Sequence, residues 1–158
     1  MSKGRYVDIF VEPDGNKPCG YAFRMEEGGL QASRLVFDKH KDNMPKAEHY
    51  KIEFKLHNTK GTKLQFSKKK DMVLWATEVF EPKGDECPPP GSSFDGLYVD
   101  PAAYIQDRVL TVINTDMHEQ YFAFALNFVP EGTDEGPDTQ YVCFDPIGEN
   151  RNGGFTRR

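Results

Sequence analysis

Residues 49–58 decide the fold class, and they read His-Tyr-Lys-Ile-Glu-Phe-Lys-Leu-His-Asn. Large apolar residues occupy the even positions from Tyr50 to Leu56, whereas lysine, glutamate and histidine occupy the odd positions. Successive side chains of a β-strand point to opposite faces, so this period of two predicts a strand with one face in a core and the other in water.

The same alternation recurs elsewhere in the chain. Val7, Ile9 and Val11 share one parity in residues 5–11, and four large apolar residues share one parity in residues 120–129. Turn-forming residues separate such segments at intervals of about 8–12 residues. We therefore expect an all-β protein, an antiparallel immunoglobulin-like β-sandwich of about eight or nine strands. A closed or partly open β-barrel is the alternative, because patterning does not distinguish a sheet that closes from two sheets that stack.

Two hairpins are expected from the turn chemistry. The first joins residues 49–58 to 63–67 through Lys60-Gly61, and the second joins residues 108–115 to 120–129 through residues 116–119. Proline, glycine and acidic residues mark long loops at 81–96 and 130–138. Both loops are candidates for recognition, because long loops on a rigid scaffold often carry function.

The chain length of 158 residues suits one domain. We expect the sandwich to span residues 1–147 and residues 148–158 to form a mobile tail. Only 37% of the residues are apolar, but 12 Phe, 7 Tyr and one Trp predict an aromatic-rich core.

Short motifs spread along the chain resemble one known family. They are Val11-Glu12-Pro13, the 50–58 stretch ahead of Leu64-Gln65-Phe66, a central Phe-Ala-Phe, and Phe144-Asp145-Pro146-Ile147 followed by Asn150. In this combination the chain resembles the DP-EP family, a group of uncharacterised bacterial proteins. The resemblance implies an immunoglobulin-like sandwich of bacterial origin, and it brings no catalytic or binding residue with it.

Charge is distributed unevenly along the chain. Residues 39–70 hold ten lysines against three acidic residues, whereas residues 71–158 hold sixteen acidic against five basic residues. Placed on strands that pair, six lysines would form one basic sheet face: Lys51, Lys55, Lys63, Lys68, Lys69 and Lys70. Such a face suits an acidic protein partner, or the acidic half of a second copy of this chain. Nucleic acid is not favoured, because the aromatic side chains fall on the buried parity.

The sequence contains no arrangement that predicts an enzyme. There is no Gly-x-Ser-x-Gly or phosphate-binding glycine motif, and no cysteine lies in a setting that would activate it. We expect no cofactor. The alternative to an interaction module is a protein that binds a small ligand or a metal through acidic loops at one end of the sandwich, with Asp145 and Asn150 as candidate residues.

Localisation is expected to be cytoplasmic. No run of 18 apolar residues predicts a membrane span, and the N-terminal residues do not form a signal peptide. The three cysteines, Cys19, Cys87 and Cys143, are odd in number and widely spaced, which suits free thiols in a reducing compartment. The sequence therefore predicts a cytoplasmic, non-catalytic module that binds a protein partner or itself.

Overall fold

The computed structural model describes residues 2–80, 87–103 and 105–151. These residues form twelve strands and one four-residue helix. The strands are β1 (Ser2–Pro13), β2 (Tyr21–Glu27), β3 (Leu30–Ala32), β4 (Arg34–Asp38), β5 (His49–Asn58), β6 (Leu64–Phe66), β7 (Leu74–Val79), β8 (Leu97–Val99), β9 (Val109–Asn114), β10 (Gln120–Pro130), β11 (Val142–Phe144) and β12 (Ile147–Arg151), and the helix is α1 (Lys70–Val73).

The strands form two open sheets. Sheet A has the order β3-β2-β1-β5-β9-β8. Sheet B is built around β10, which pairs with β6 and β7 along one side and with β11 and β12 along the other, and β4 pairs with β12. The all-β sandwich is therefore confirmed, and neither sheet closes into a barrel. Both sheets are mixed, because β1 runs parallel to β5 and β4 runs parallel to β12.

Alternating apolar residues form the core between the sheets. Ile52 and Phe54 of β5 in sheet A and Phe122 and Phe124 of β10 in sheet B are all at most 2% exposed. The ring centroids of Phe54 and Phe124 lie 6.0 Å apart, so aromatic contacts join the two sheets directly.

Both predicted hairpins are wrong. The turn at Lys60-Gly61 exists, with positive φ at both residues, but β6 pairs with β10 in sheet B and not with β5. The side chain of Asn58 bonds the backbone N and O of Leu64, both at 3.0 Å, and so holds the chain as it crosses between sheets. In the second predicted hairpin the chain also crosses between the sheets, because β9 pairs with β5 and β8 in sheet A whereas β10 lies in sheet B.

The boundary of the predicted mobile tail needs correction. Residues 148–151 belong to β12, which pairs with both β10 and β4. Residues 152–158, like residues 81–86 of the predicted 81–96 loop, lie outside the described residues. Over the described ranges, we find no helix with the length and apolar character needed to cross a membrane.

Candidate functional site

The six candidate lysines do not share one face. Lys51 and Lys55 lie exposed on β5, with side chains on the outer side of sheet A. The other four follow the chain into sheet B, because β6 pairs with β10: Lys63 precedes β6, and Lys68, Lys69 and Lys70 follow it. Lys68 Nζ forms an ion pair with Asp107 at 2.5 Å. The basic sheet face is therefore limited to Lys51 and Lys55.

The outer side of sheet A carries both signs of charge. We call this surface the open face. Its residues on the neighbouring strands β2, β1 and β5 are Tyr6, Asp8, Phe10 and Glu12 of β1, Arg24 and Glu26 of β2, and Lys51, Glu53, Lys55 and His57 of β5. Acidic side chains thus lie on β1, which neighbours β5, on β2 beyond it, and at Glu53 between the two lysines of β5. The strand register places Asp8 directly beside Lys55.

An aromatic cluster lies at the centre of the open face. His57 stacks on Phe10 with ring centroids 4.7 Å apart, and its Nε2 lies 2.7 Å from Asp8 Oδ1. The Arg24 guanidinium lies 4.4 Å from the Phe10 ring centroid, on the scale of a cation–π contact. Tyr6, beside this cluster, is 68% exposed. Cationic, anionic and aromatic groups are therefore presented together to solvent.

The outer side of sheet B is covered by the chain itself. Ala123, Ala125 and Asn127 occupy that side of β10, and all are 0% exposed. Asn127 Nδ2 donates to Met72 O of α1 at 2.6 Å, and Trp75 makes an edge contact with the Tyr141 ring. In the ranges that the structure describes, Tyr6, Lys51 and Lys55 on the outer side of sheet A are exposed, whereas the corresponding side of β10 is internal.

A cleft of about 600 Å³ lies at one end of the sandwich. Its walls include the carboxylates of Glu78 and Asp95 and the apolar side chains of Phe94 and Met117, and Asn150 borders it. Among the described residues that line the cleft, none is lysine or arginine. The ionisable side chains among them are the two carboxylates and the imidazole of His118.

Asn150 joins the two sheets beneath this cleft. Asn114 Nδ2 donates to Asn150 Oδ1 at 2.8 Å, and Asn150 Nδ2 donates back to Asn114 Oδ1 at 3.3 Å. Asn114 Oδ1 also accepts the backbone N–H of Asp116 at 3.0 Å. Both asparagines are at most 1% exposed, so this pair is an internal bridge between β9 and β12.

Asp145 does not join Asn150 in one site. The two residues lie five positions apart along nearly extended chain, about 17 Å in strand geometry. Asp145 instead lies near Cys87, and desolvation together with this carboxylate raises the pKa of the Cys87 thiol. Burial, and then the nearby Cys87, raise the pKa of Cys143 to about 11. These cysteines are thus held as thiols and not as reactive thiolates at neutral pH.

One half-buried charged residue, Arg5, was not predicted. Arg5 binds both carboxylate oxygens of Glu27, donates to Val36 O at 3.0 Å and lies 4.6 Å from the Phe37 ring centroid. Arg5 has the same parity as Val7 in the alternation of β1, and this position indicated that its side chain points toward the core.

The end beside the cleft contains three more buried polar groups. Tyr50 Oη donates to Asp42 at 2.6 Å, and burial followed by this hydrogen bond raises the pKa of the Tyr50 hydroxyl. Lys39 and Asp116 are 3% and 0% exposed. The sequence predicts Asp116 in the turn at residues 116–119, and its burial was not expected. Over the described ranges, no three His, Cys, Asp or Glu side chains are grouped so as to hold a metal ion.

No protein-family model matches this chain, and no curated protein is significantly similar to it in sequence. The resemblance to the DP-EP family stays a prediction.

Proposed function

We propose that the protein is a non-catalytic binding module that self-associates through the open face of sheet A. The observation that carries the proposal is the placement of opposite charges on neighbouring strands, with Lys55 of β5 in register with Asp8 of β1. The exposed Tyr6 adds apolar contact area of the kind enriched in interfaces. Membership of a bacterial, cytoplasmic group of immunoglobulin-like sandwiches belongs to the same proposal, and the three free cysteines are consistent with a reducing compartment.

A two-fold axis matches this charge pattern. If the axis runs parallel to the strands between β1 and β5, β5 of each copy faces β1 of the other. Because β1 and β5 are parallel and in register, Asp8 of each copy then lies over Lys55 of the other. Each copy contributes the same two charges, so the contact is self-complementary.

The size of the face sets the expected affinity. The six strands of sheet A average about seven residues. At about 3.3 Å per residue and about 4.8 Å between strands, the open face covers roughly 650 Å² per copy. The total of about 1,300 Å² is at the lower end of stable protein interfaces. We therefore expect a weak, concentration-dependent dimer that responds to salt.

Sedimentation velocity at about 50 mM and about 500 mM salt tests the proposal, because these concentrations give screening lengths of about 14 Å and about 4 Å. The wild type is expected to dimerise at low salt and to dissociate at high salt. Lys55→Glu is expected to abolish dimers, and the double substitution Asp8→Lys with Lys55→Glu is expected to restore them.

Lys69→Glu is the matched control, since Lys69 is an exposed lysine away from the open face. It makes the same change in net charge and is expected to leave dimerisation intact. Self-association through this face would be contradicted if the wild type remained monomeric at high concentration. It would also be contradicted if Lys55→Glu and Lys69→Glu had equal effects on dimerisation.

A second candidate function is binding of a small cationic ligand in the cleft. The observation that favours it is the pairing of two carboxylates, Glu78 and Asp95, with the Phe94 ring in a concave site. Phenethylamine carries both an ammonium and an aromatic ring and is a suitable probe. It is expected to raise the melting temperature of the wild type more than that of Asp95→Asn. An equal response to phenylacetate, which reverses the charge, would contradict the assignment.

A further inference from the structure

Asp116 is a buried ionisable residue at the end of the sandwich beside the cleft. It follows β9 by one intervening residue and is 0% exposed. It belongs to the segment 115–119, which carries the chain from β9 of sheet A to β10 of sheet B. An ionised carboxylate is costly to bury unless hydrogen bonds or a cation compensate for the lost water, so the surroundings of Asp116 decide its charge.

The carboxyl group of Asp116 lacks such compensation. Oδ1 and Oδ2 are both buried, and neither has a hydrogen-bond partner among the residues that the structure describes. The amine of the neighbouring Lys39 is directed elsewhere, since its Nζ donates to Thr115 O at 2.5 Å and to Lys46 O at 2.6 Å. A carboxyl group in this position keeps its proton, because its neutral form costs much less to bury than its ionised form.

The charges around Asp116 act in the same direction as its burial. Burial raises the pKa of Asp116 to about 8, against the opposing effect of Lys39. The other ionisable side chains around it are three carboxyl groups, which raise its pKa further, and one hydroxyl: Asp38 at the end of β4, Asp42 in the segment after β4, Glu119 in the 115–119 segment, and Tyr50 on β5. Asp116 is therefore neutral at pH 7, as its unpaired oxygens also indicate.

The residues on both sides of Asp116 form part of the cleft wall. Thr115 precedes it and Met117 and His118 follow it, and all three line the cleft. Gln120, at the start of β10, lines the cleft as well. The buried carboxyl group is thus attached to the middle of one wall, and a displacement of Asp116 displaces that wall.

We propose that Asp116 is a proton-controlled latch, whose neutral carboxyl group holds the 115–119 segment closed and whose ionisation releases the segment and opens the cleft. An ionised carboxylate regains its hydration when it leaves the interior, so loss of the proton favours the open form. The change is expected as the pH rises through about 8. The latch is a property of one copy of the chain and does not depend on self-association through the open face.

NMR titration of the ¹³C-labelled wild-type protein tests the latch, because the chemical shift of each carboxyl carbon reports its own protonation. The carboxyl carbon of Asp116, identified by sequential assignment, is expected to titrate near pH 8. A solvated aspartate titrates near pH ~4. The backbone amide signals of Thr115 and Met117 are expected to change over the same pH range as the Asp116 carbon, because the segment is released when the proton is lost.

Asp116→Asn keeps the shape of the protonated side chain but cannot ionise. The folded wild type keeps this proton while its unfolded chain releases it above about pH 4, so wild-type stability should fall relative to the variant as the pH rises toward 8. The ratio of the two unfolding constants should change by up to about tenfold per pH unit in that window. Asp95→Asn, at an exposed carboxylate of the cleft, is the matched control and is expected to show no such trend.

Two results of the wild-type titration overturn the proposal. If the Asp116 carbon titrates near pH ~4, the buried group is already ionised at neutral pH and no latch exists. If it titrates near pH 8 but the amide signals of Thr115 and Met117 stay unchanged, the carboxylate remains in place and does not open the cleft. Both results come from the wild type, so misfolding of a variant does not affect the decision.

Discussion

Gly148 shows at the scale of one residue how tightly the core is packed. A Cβ at this position would lie 2.0 Å from Cζ of the Phe122 ring, far closer than non-bonded carbon atoms approach one another. Phe122 is 1% exposed and contacts Phe37, Phe94 and Phe124. The ring therefore fills the space that the absent side chain leaves, and β12 can lie close to the core only because of this glycine.

Gly148→Ala is accordingly expected to destabilise the protein by about 1–3 kcal/mol, the usual cost of overpacking a core. Urea denaturation of the variant and the wild type measures the difference. Gly136→Ala is the control, because a Cβ at position 136 has no atom within 4 Å. This variant is expected to have wild-type stability. Adding Phe122→Leu to Gly148→Ala should recover part of the loss. If both glycine variants had wild-type stability, the packing described for β12 would be incorrect.

Buried polar residues explain why the site was only partly predictable. β12 directs Gly148 and Asn150 toward the interior. Because neither is a large apolar residue, the strand lacks the hydrophobic alternation by which strands are recognised in a sequence. The sequence therefore predicted a mobile tail where the structure has a strand. Asn150 was singled out as a candidate residue, but its partner Asn114 and the buried Asp116 were concealed by turn-like composition.

At the scale of elements, the alternation predicted strands better than it predicted their partners. The buried parity of β5 follows from Tyr50 to Leu56 and is confirmed. The pairing of β5 with β6 failed because a two-residue turn fixes the local chain reversal but not the sheet in which the next strand lies. The bonds from Asn58 to Leu64 direct that choice, and they depend on one side chain.

The 130–138 loop is held in place by one carboxylate. Glu135 accepts hydrogen bonds from Ser67 Oγ at 2.5 Å, Lys68 N at 2.8 Å and Tyr141 Oη at 2.8 Å. Burial acts to raise the pKa of Glu135, but the hydrogen bond from Ser67 and the two others outweigh it and lower the pKa below its usual value of 4.5. The loop is therefore anchored over β6, whatever its role in recognition.

Glu135→Gln is expected to lower the free energy of unfolding at pH 7 by about 1–3 kcal/mol, the value of charged hydrogen bonds. A carboxylate with a lowered folded-state pKa stabilises above its unfolded pKa and loses that contribution as the pH falls through the folded value. The difference between variant and wild type should therefore shrink below about pH 4. Thermal denaturation across pH measures it, with the exposed neighbour variant Asp134→Asn as control. If the stability difference between Glu135→Gln and the wild type did not change with pH, an ionised Glu135 would not be what holds the loop.

At the scale of the whole molecule, the two sheets differ in how they meet solvent. The outer side of β10 is covered by α1 and by the segment around Tyr141, whereas Tyr6, Lys51 and Lys55 on the open face of sheet A are exposed within the described part of the chain. The sequence predicted an interaction surface rich in lysine, but only Lys51 and Lys55 lie on this face. Three of its acidic members, Asp8, Glu12 and Glu26, come from β1 and β2, and the fourth, Glu53, lies on β5. A parallel pairing of β1 with β5 could not be anticipated from strands that lie far apart in sequence.

Concentration-dependent NMR chemical shifts test self-association through the open face most directly. On dilution from millimolar to micromolar protein, we predict that shift changes cluster at Tyr6, Asp8 and Lys55 and vanish in Lys55→Glu. Residues of the anchored loop near Glu135, and Lys69, should remain unchanged. Shifts that do not depend on concentration, or that change only at the cleft around Asp95, would contradict self-association and leave the open face as a solvated surface.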